Sequence, residues 1–140
     1  VVDDFAHNPE KIKAAIKAAR GISDVLTVIY QPHGFGPTRF LKNEYIDVFR
    51  NELKKDDLLF LLPIYYAGGS ANKDISSKEI IDELGDVAFE KHAPQCRNDI
   101  FDMLRKKVKP GECVLLMGAR DPSLSSFARK ITDLYGGITG

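Results

Sequence analysis

Histidines, carboxylates and an arginine occur in three short segments, each of which directly follows an apolar run. Asp4 and His7 lie in the first segment, His33 lies in the second, and Arg120 lies in the third. Carboxylates and imidazoles together can hold a metal ion, and a guanidinium binds carboxylates and phosphates. The residue types therefore predict a polar binding site that is assembled from segments far apart in the chain.

The carboxylates and histidines also have ordinary structural interpretations. Asp3 and Asp4 could cap the turn before the first predicted helix, which is a common role of aspartate. His7 and His33 could equally be surface residues of their loops, and His92 is interpreted as structural. A metal site built from Asp3, Asp4, His7 and His33 is an alternative, although no pair of them has the helical spacing usual for metal ligands.

The arginine and the glycines leave the kind of ligand open. Arg120 lies between a predicted strand and a helix start, where an anion is favoured, but it could instead pair with Asp121. Gly68-Gly69 is more often a turn than a phosphate-binding loop. The sequence contains no GxxxxGK[ST] phosphate loop, no GxGxxG motif after a strand, and no HExxH or GxSxG motif. The chain alone therefore has no evident means of holding the triphosphate and magnesium of ATP.

Alternating strand-like and helix-like segments would position these residues. The apolar runs lack polar alternation, which is typical of strands that are buried on both faces and joined by helical crossovers. The sequence thus predicts an α/β fold with a three-layer, Rossmann-like, doubly wound and mostly parallel sheet. Ligands bind at the carboxyl ends of strands in such sheets, and the polar segments follow those ends. The predicted strands are residues 1–3, 25–30, 57–62, 86–89 and 113–117.

Helices are predicted between these strands. Asn8-Pro9 has the residue types of an N-cap and a first helical turn, and Ser76 with Glu79 forms a capping box. Residues 31–38, which are rich in glycine and proline, are predicted to form a loop. The apolar stripes of the predicted helices lie within residues 8–20, 41–53, 76–84, 100–108 and 121–134.

Composition excludes several classes of protein. The 140 residues are 44% hydrophobic and 29% charged, as in an ordinary globular domain. The formal net charge is zero, so we expect no nucleic-acid partner. The longest apolar run, from Leu58 to Ala67, is too short to cross a bilayer. Because no signal peptide is recognisable, we expect a cytoplasmic protein without a membrane partner, with Cys96 and Cys113 as free, buried thiols.

Four segments in the same order resemble the C-terminal domain of the Mur ligases. Val2–Pro9 (VDDFAHNP) is similar to the family's VDDY(G/A)HHP segment, and Gln31-Pro32-His33 is similar to its QPH segment. Ile64–Gly69 (IYYAGG) resembles the family's IYPAGE segment, and Met117-Gly118-Ala119 resembles its GAG segment. The likeness is greatest to the branch that joins L-alanine to UDP-N-acetylmuramate, and the murein tripeptide branch is second.

The resemblance implies a three-domain, ATP-dependent ligase of peptidoglycan synthesis or recycling, with this chain as its third domain. The first domain would bind the UDP-sugar, and the central domain would bind the phosphates of ATP and Mg²⁺. The carboxylate of UDP-N-acetylmuramate would become an acyl phosphate, which the amine of an amino acid or a peptide would attack. The third domain alone is expected to be inactive. The alternative is a non-catalytic nucleotide-binding or interaction module.

The resemblance also implies roles for individual residues. Asp4 matches an aspartate that contacts the nucleotide ribose, and His7 and Asn8 match neighbouring positions near the nucleotide. His33 belongs to a loop beside the incoming amino acid, and Tyr65 is assigned to the same substrate side. Neither a metal ligand nor a covalent nucleophile is implied in this chain.

The departures from the family concern charged positions. The two arginines of the family's RxxR segment fall on Gly34 and Pro37, and the glutamate after the AG pair becomes Gly69. The third residue of the GAG turn becomes Arg120. We expect Arg39 or Arg120 to replace the lost anchor for the substrate carboxylate, because a planar guanidinium grips a carboxylate bidentately. The substrate would then differ from L-alanine.

Overall fold

The computed structural model describes residues 1–4, 6, 8–65, 75–118 and 122–134, without the side chains of Asp3, Asp4, Pro122 and Leu134. The strands within these ranges are β1 (Val2–Asp4), β2 (Leu26–Gln31), β3 (Leu58–Leu61), β4 (Glu90–His92) and β5 (Cys113–Gly118). The helices are α1 (Pro9–Arg20), α2 (Phe35–Glu52), α3 (Ser77–Leu84), α4 (Phe101–Lys107) and α5 (Pro122–Leu134), and a 3-10 turn (Arg97–Ile100) precedes α4.

The described strands form one sheet in the order β1-β5-β2-β3-β4, and every neighbouring pair is parallel. Strands β2, β3 and β5 are interior, and all their residues are buried. Burial on both faces explains why their sequences are apolar without alternation. The predicted fold class, an α/β fold with a doubly wound parallel sheet, is confirmed.

Helices cover both faces of the sheet and produce two separate apolar cores. Residues of α1, α2 and α3 pack with Val28 and Leu115 on one face. Residues of α4 and α5 pack with Ile29 and Leu116 on the other face. Adjacent residues of one strand serve opposite cores because successive side chains point to opposite faces. None of the described helices is long and apolar enough to cross a lipid bilayer.

The start of α2 corrects the loop that was predicted over residues 31–38. Helix α2 begins at Phe35, so Pro37 lies in its first turn, where backbone N–H groups have no partner within the helix. Gly34 precedes the helix with φ 82° and ψ 139°, and its carbonyl oxygen accepts a 2.6 Å hydrogen bond from the Thr38 hydroxyl. The glycine and proline residues therefore mark a helix start as well as a loop.

The position of β4 corrects a second prediction, because the strand begins at Glu90 and not at Asp86. Val87 and Phe89, which lie within the predicted strand, contribute to the first core from irregular chain. Strand β4 is at the edge of the sheet and consists of Glu90, Lys91 and His92. Charged residues are common on edge strands because they discourage pairing with other chains. Such a strand therefore has no apolar signature in its sequence.

A buried ion pair connects the amino ends of β2 and β3, and we call it the amino-end clamp. Asp57 is 2% exposed and accepts hydrogen bonds from Nη1 and Nη2 of Arg20 at 3.0 and 2.6 Å. It also accepts from the backbone N–H groups of Leu26 (2.9 Å) and Lys54 (2.7 Å). Burial raises the pKa of the Asp57 carboxyl, but these hydrogen bonds outweigh burial and hold the pKa below its ordinary value.

Candidate functional site

The carboxyl ends of the parallel strands lie side by side and form one border of the sheet, which we call the carboxyl edge. Asp4, the last residue of β1, pairs with Met117 of β5. Gln31, the last residue of β2, pairs with Gly118 at the end of β5. The polar segments singled out from the sequence continue from these ends. The structure therefore brings the starts of three separate segments together.

Strands β2 and β3 are extended at this edge by an isolated parallel bridge between His33 and Tyr65. The backbone N–H of Gly34 donates to the carbonyl of Tyr65, and that of Tyr65 donates to the carbonyl of Pro32, both at 2.8 Å. The ring centroids of His33 and Tyr65 are 5.1 Å apart. Two residues predicted to contact the substrate are thus neighbours that the backbone holds in place.

Gln31 is a polar residue that the sequence predictions did not assign to the site. Its Oε1 atom is buried and has no hydrogen-bond partner among the described residues, and the same is true of Nδ1 of His33. Gln31 is 6% exposed. A signal was present in the sequence, because Gln31 is a polar residue at the end of a largely apolar central strand, but burial and pairing are visible only in the structure.

Gly118 leaves little room around the end of β2. A Cβ atom on Gly118 would lie 2.8 Å from Cδ2 of Leu124 and 3.4 Å from Cβ of Gln31. A Cβ contact as short as the first is not tolerated without a shift of the neighbouring group. Glycine at this position therefore allows the start of α5 and the stem of Gln31 to approach the end of β5 closely.

Two of the three residues predicted to contact a nucleotide, Asp4 and Asn8, belong to the β1 side of the carboxyl edge. Asp4 ends β1 there, and Asn8 caps α1, with its Oδ1 accepting a 2.9 Å hydrogen bond from the backbone N–H of Lys11. The predicted helix start is therefore confirmed, and the oxygen of the Asn8 amide already serves the helix. His7 lies outside the described residues.

The two candidate arginines differ in what the structure describes of them. Arg39 is exposed in the second turn of α2, next to the buried Thr38. Arg120 lies outside the described residues. Helix α2 continues directly from the loop that contains His33 and Gly34, so Arg39 lies on the element that leaves the candidate site.

A cavity of about 430 Å³ lies next to the His33–Tyr65 bridge. Phe35, Pro63 and Ile64, which neighbour the bridge in sequence, line one part of it, and Ser76 and Lys78 at the start of α3 line another. Of the described lining residues only Lys78 is charged, and its Nζ lies 2.8 Å from a carboxylate oxygen of Asp82. The volume lies within the range of small-molecule sites.

The remaining histidine and the cysteines have structural surroundings. The His92 ring stacks on Phe60 with centroids 5.6 Å apart, and its Nε2 lies 2.6 Å from Oε2 of Glu90. Cys96 and Cys113 are free cysteines; Cys113 is buried as predicted, whereas Cys96 is exposed, which corrects the prediction that both are buried. Within the part of the chain that the structure describes, no group of three or more histidine, cysteine, aspartate or glutamate residues could hold a metal ion.

Comparison with known proteins finds one family along most of the chain. The family model described as "Mur ligase, glutamate ligase domain" matches residues 1–120. UDP-N-acetylmuramate–L-alanine ligases from Rickettsia bellii and Fusobacterium nucleatum are 28% and 34% identical over 99% of this chain. The enzyme of that name from Acetivibrio thermocellus is 36% identical over 86% of it. The chain spans 29%, 28% and 25% of the lengths of these relatives.

A solved structure confirms the fold. It is a crystallised domain from Haemophilus ducreyi, described provisionally as belonging to a UDP-N-acetylmuramate:L-alanyl-gamma-D-glutamyl-diaminopimelate ligase. The superposition has a TM-score of 0.60 and covers 94% of this chain and 88% of that domain, with 20% sequence identity. At this identity the likeness supports the architecture of the domain alone.

Proposed function

Because this chain belongs to the Mur ligase family, we propose that it is the C-terminal domain of an ATP-dependent ligase of peptidoglycan synthesis or recycling. The parent would join an amino acid or a peptide to the carboxylate of UDP-N-acetylmuramate. Support comes from the family model over residues 1–120 and from relatives of which this chain spans 25–29%. The rest of the parent would contain the domains for the UDP-sugar and for ATP.

The observation that supports this function best is the shared carboxyl edge of the sheet. It gathers the starts of the segments that contain Asp4, His33 and Arg120, together with Tyr65 through its bridge to His33. A ligase domain that closes over two substrates needs such a border. Its contribution is to orient the amine and to exclude the water that would hydrolyse the activated carboxylate.

We assign the nucleotide side of the edge to Asp4, His7 and Asn8. ATP, held with Mg²⁺ mainly by the central domain, supplies the phosphoryl group that activates the carboxylate. A carboxylate such as that of Asp4 accepts hydrogen bonds from ribose hydroxyls, which fits its place at the end of β1. Because Oδ1 of Asn8 caps α1, a contact from Asn8 to the nucleotide would use its amide nitrogen.

We assign the amino-acid side to His33, Tyr65, and Arg39 or Arg120. Backbone hydrogen bonds from Gly34 to Tyr65 and from Tyr65 to Pro32 hold the segments of His33 and Tyr65 side by side. One of the two arginines would bind the substrate carboxylate in the absence of the family's RxxR pair. The cavity of about 430 Å³ beside the bridge would accommodate a side chain or further residues, which favours a substrate larger than L-alanine.

The test is an assay of the full-length parent with ATP, Mg²⁺ and UDP-N-acetylmuramate against a panel of amino acids and short peptides. We expect ADP release that depends on both the UDP-sugar and one class of amine substrate. ADP release that does not depend on the UDP-sugar would instead favour a nucleotide-binding or interaction module. A parent without any phosphate loop would favour the same alternative.

Arginine variants of the same parent test the carboxylate anchor. We expect Arg39→Ala or Arg120→Ala to raise the KM for the amine substrate about tenfold or more, because a charge-assisted bidentate contact is lost. Arg105→Ala is the matched control, since Arg105 is an exposed residue of α4 that pairs with Asp102. Unchanged KM values for the amine substrate in both test variants would contradict the proposal that one of these arginines binds the substrate carboxylate.

A further inference from the structure

Gln31, the last residue of β2, contains a buried polar group. Its Oε1 makes no hydrogen bond within the part of the chain that the structure describes, although the residue is only 6% exposed. An unpaired acceptor in a protein interior destabilises the fold, and an apolar side chain of similar shape would avoid that penalty. A polar residue kept at such a position therefore points to a role in binding.

The position of Gln31 connects this group with the candidate site. Gln31 ends β2 on the carboxyl edge and pairs with Gly118, whose lack of a side chain allows close approach. His33 follows two residues later, so the two side chains belong to the same face of extended chain. Nδ1 of His33 is likewise buried without a hydrogen-bond partner among the described residues. Oε1 of Gln31 and Nδ1 of His33, two polar atoms without a hydrogen-bond partner among the described residues, thus belong to neighbouring positions at the end of β2.

The chemistry of these two atoms selects the kind of ligand group. The carboxamide oxygen of Gln31 can only accept hydrogen bonds, and Nδ1 of a neutral imidazole accepts when its proton is on Nε2. A pair of acceptors suits a group with several N–H donors, such as a primary amine or ammonium. A carboxylate or a phosphate offers acceptors only and could not form a hydrogen bond with either of these two acceptor atoms.

We propose that Gln31, together with His33, binds the amine of the incoming amino acid or peptide. This inference rests on the proposed ligase function and adds a substrate-binding residue to it. The amine would be held at the end of β2 while an arginine holds the carboxylate. Two separate anchors define the orientation of the substrate, so the nucleophilic nitrogen would face the activated carboxylate.

The test compares the Gln31→Met variant of the full-length parent with the unsubstituted parent. Methionine fills similar space without an acceptor oxygen. We expect the KM for the amine substrate to rise about tenfold, which corresponds to about 1.4 kcal/mol. The KM values for ATP and UDP-N-acetylmuramate should stay the same, and the melting temperature should be equal or a few degrees higher because the unpaired buried group is gone.

Two further variants separate binding from structure. Gln31→Glu keeps an acceptor oxygen at the same place, so its KM for the amine should be closer to that of the unchanged parent than the methionine variant's KM. Thr27→Val is the matched control, because Thr27 is a buried polar residue on the same face of β2 near its other end. We expect no change in the amine KM for Thr27→Val.

The outcomes distinguish this inference from the proposed function. Ligase activity with an unchanged amine KM in Gln31→Met would overturn the inference alone. A lower melting temperature with equal losses for all three substrates would show a structural role and would overturn it as well. A parent with no ligase activity would remove the proposed function and this inference with it.

Discussion

Gly34 has a backbone geometry that residues with side chains rarely adopt. Its φ of 82° and ψ of 139° lie in a region that is nearly restricted to glycine. A Cβ atom there would also lie 3.3 Å from Cδ of Pro37. Gly34 and Pro37, on which the two arginines of the family's RxxR segment were predicted to fall, therefore lie close together at the start of α2.

Alanine substitutions at the two neighbouring glycines should have opposite effects. Gly34→Ala is expected to destabilise the chain by about 1–3 kcal/mol because it forces a side chain into a strained conformation. Gly36→Ala is the control: Gly36 lies in the first turn of α2, and an added Cβ meets no atom within 4 Å. It should be neutral or stabilise by about 0.4–1 kcal/mol. Urea unfolding of both variants measures this difference, and equal losses would contradict it.

At the scale of residues, the sequence predicts which residues lie at the carboxyl edge more reliably than it predicts their roles in binding. His33 and Tyr65 follow buried strands, so their meeting follows from the parallel order of β2 and β3. The assignment of roles to Asp4, His33 and Arg39 rests on resemblance to the family and stays a prediction. Gln31 was overlooked because an unpaired atom is a property of the folded neighbourhood.

At the scale of elements, prediction succeeded where a helix or strand carries its own local signal. The side chains of Asn8 and Ser76 cap α1 and α3 as their types indicated. Strand β4 was misplaced because its charged residues pair with β3 without any apolar pattern of their own. The start of α2 was missed because Pro37 is a loop signal and a first-turn residue alike.

The amino-end clamp joins α1 to the starts of β2 and β3, so it should matter for stability more than a surface ion pair. Asp57→Ala would leave the N–H groups of Leu26 and Lys54 without their acceptor, and Arg20 would lose its carboxylate partner and keep only backbone carbonyl acceptors among the described residues. We expect a loss of about 3–5 kcal/mol in the free energy of unfolding. Asp56→Ala, at the exposed neighbouring position, should change it by less than about 0.5 kcal/mol. Denaturant titration of both variants checks this prediction.

The clamp should also make stability depend on pH in the acid range. The folded-state pKa of Asp57 lies below its unfolded value, so its contribution is present above the unfolded pKa of about 4. This contribution is lost as pH falls through the lower, folded-state pKa. The free energy of unfolding, measured between neutral and acidic pH, should therefore decline less steeply for Asp57→Ala than for the unsubstituted chain. An equal decline of the free energy of unfolding in both proteins would contradict the assignment of this pH dependence to Asp57.

At the scale of the whole molecule, the described residues form one sheet with an apolar core on each face, and the sequence contains no phosphate loop. We expect the 140 residues to unfold cooperatively on their own, since helices cover both faces. We also expect no ATP hydrolysis by the isolated chain, because nothing in its sequence cradles the phosphates. A phosphate-release assay beside the full-length parent checks this, and turnover by the chain alone would refute it.

The position of the amino-end clamp has a consequence for how such a domain can change. The ion pair ties the sheet at the border opposite to the candidate site, out of reach of the loops that follow the strands. Substitutions at exposed positions of the carboxyl edge, such as Arg39, leave this ion pair in place. We therefore expect the substrate preference of such a domain to change at these positions with little loss in the free energy of unfolding.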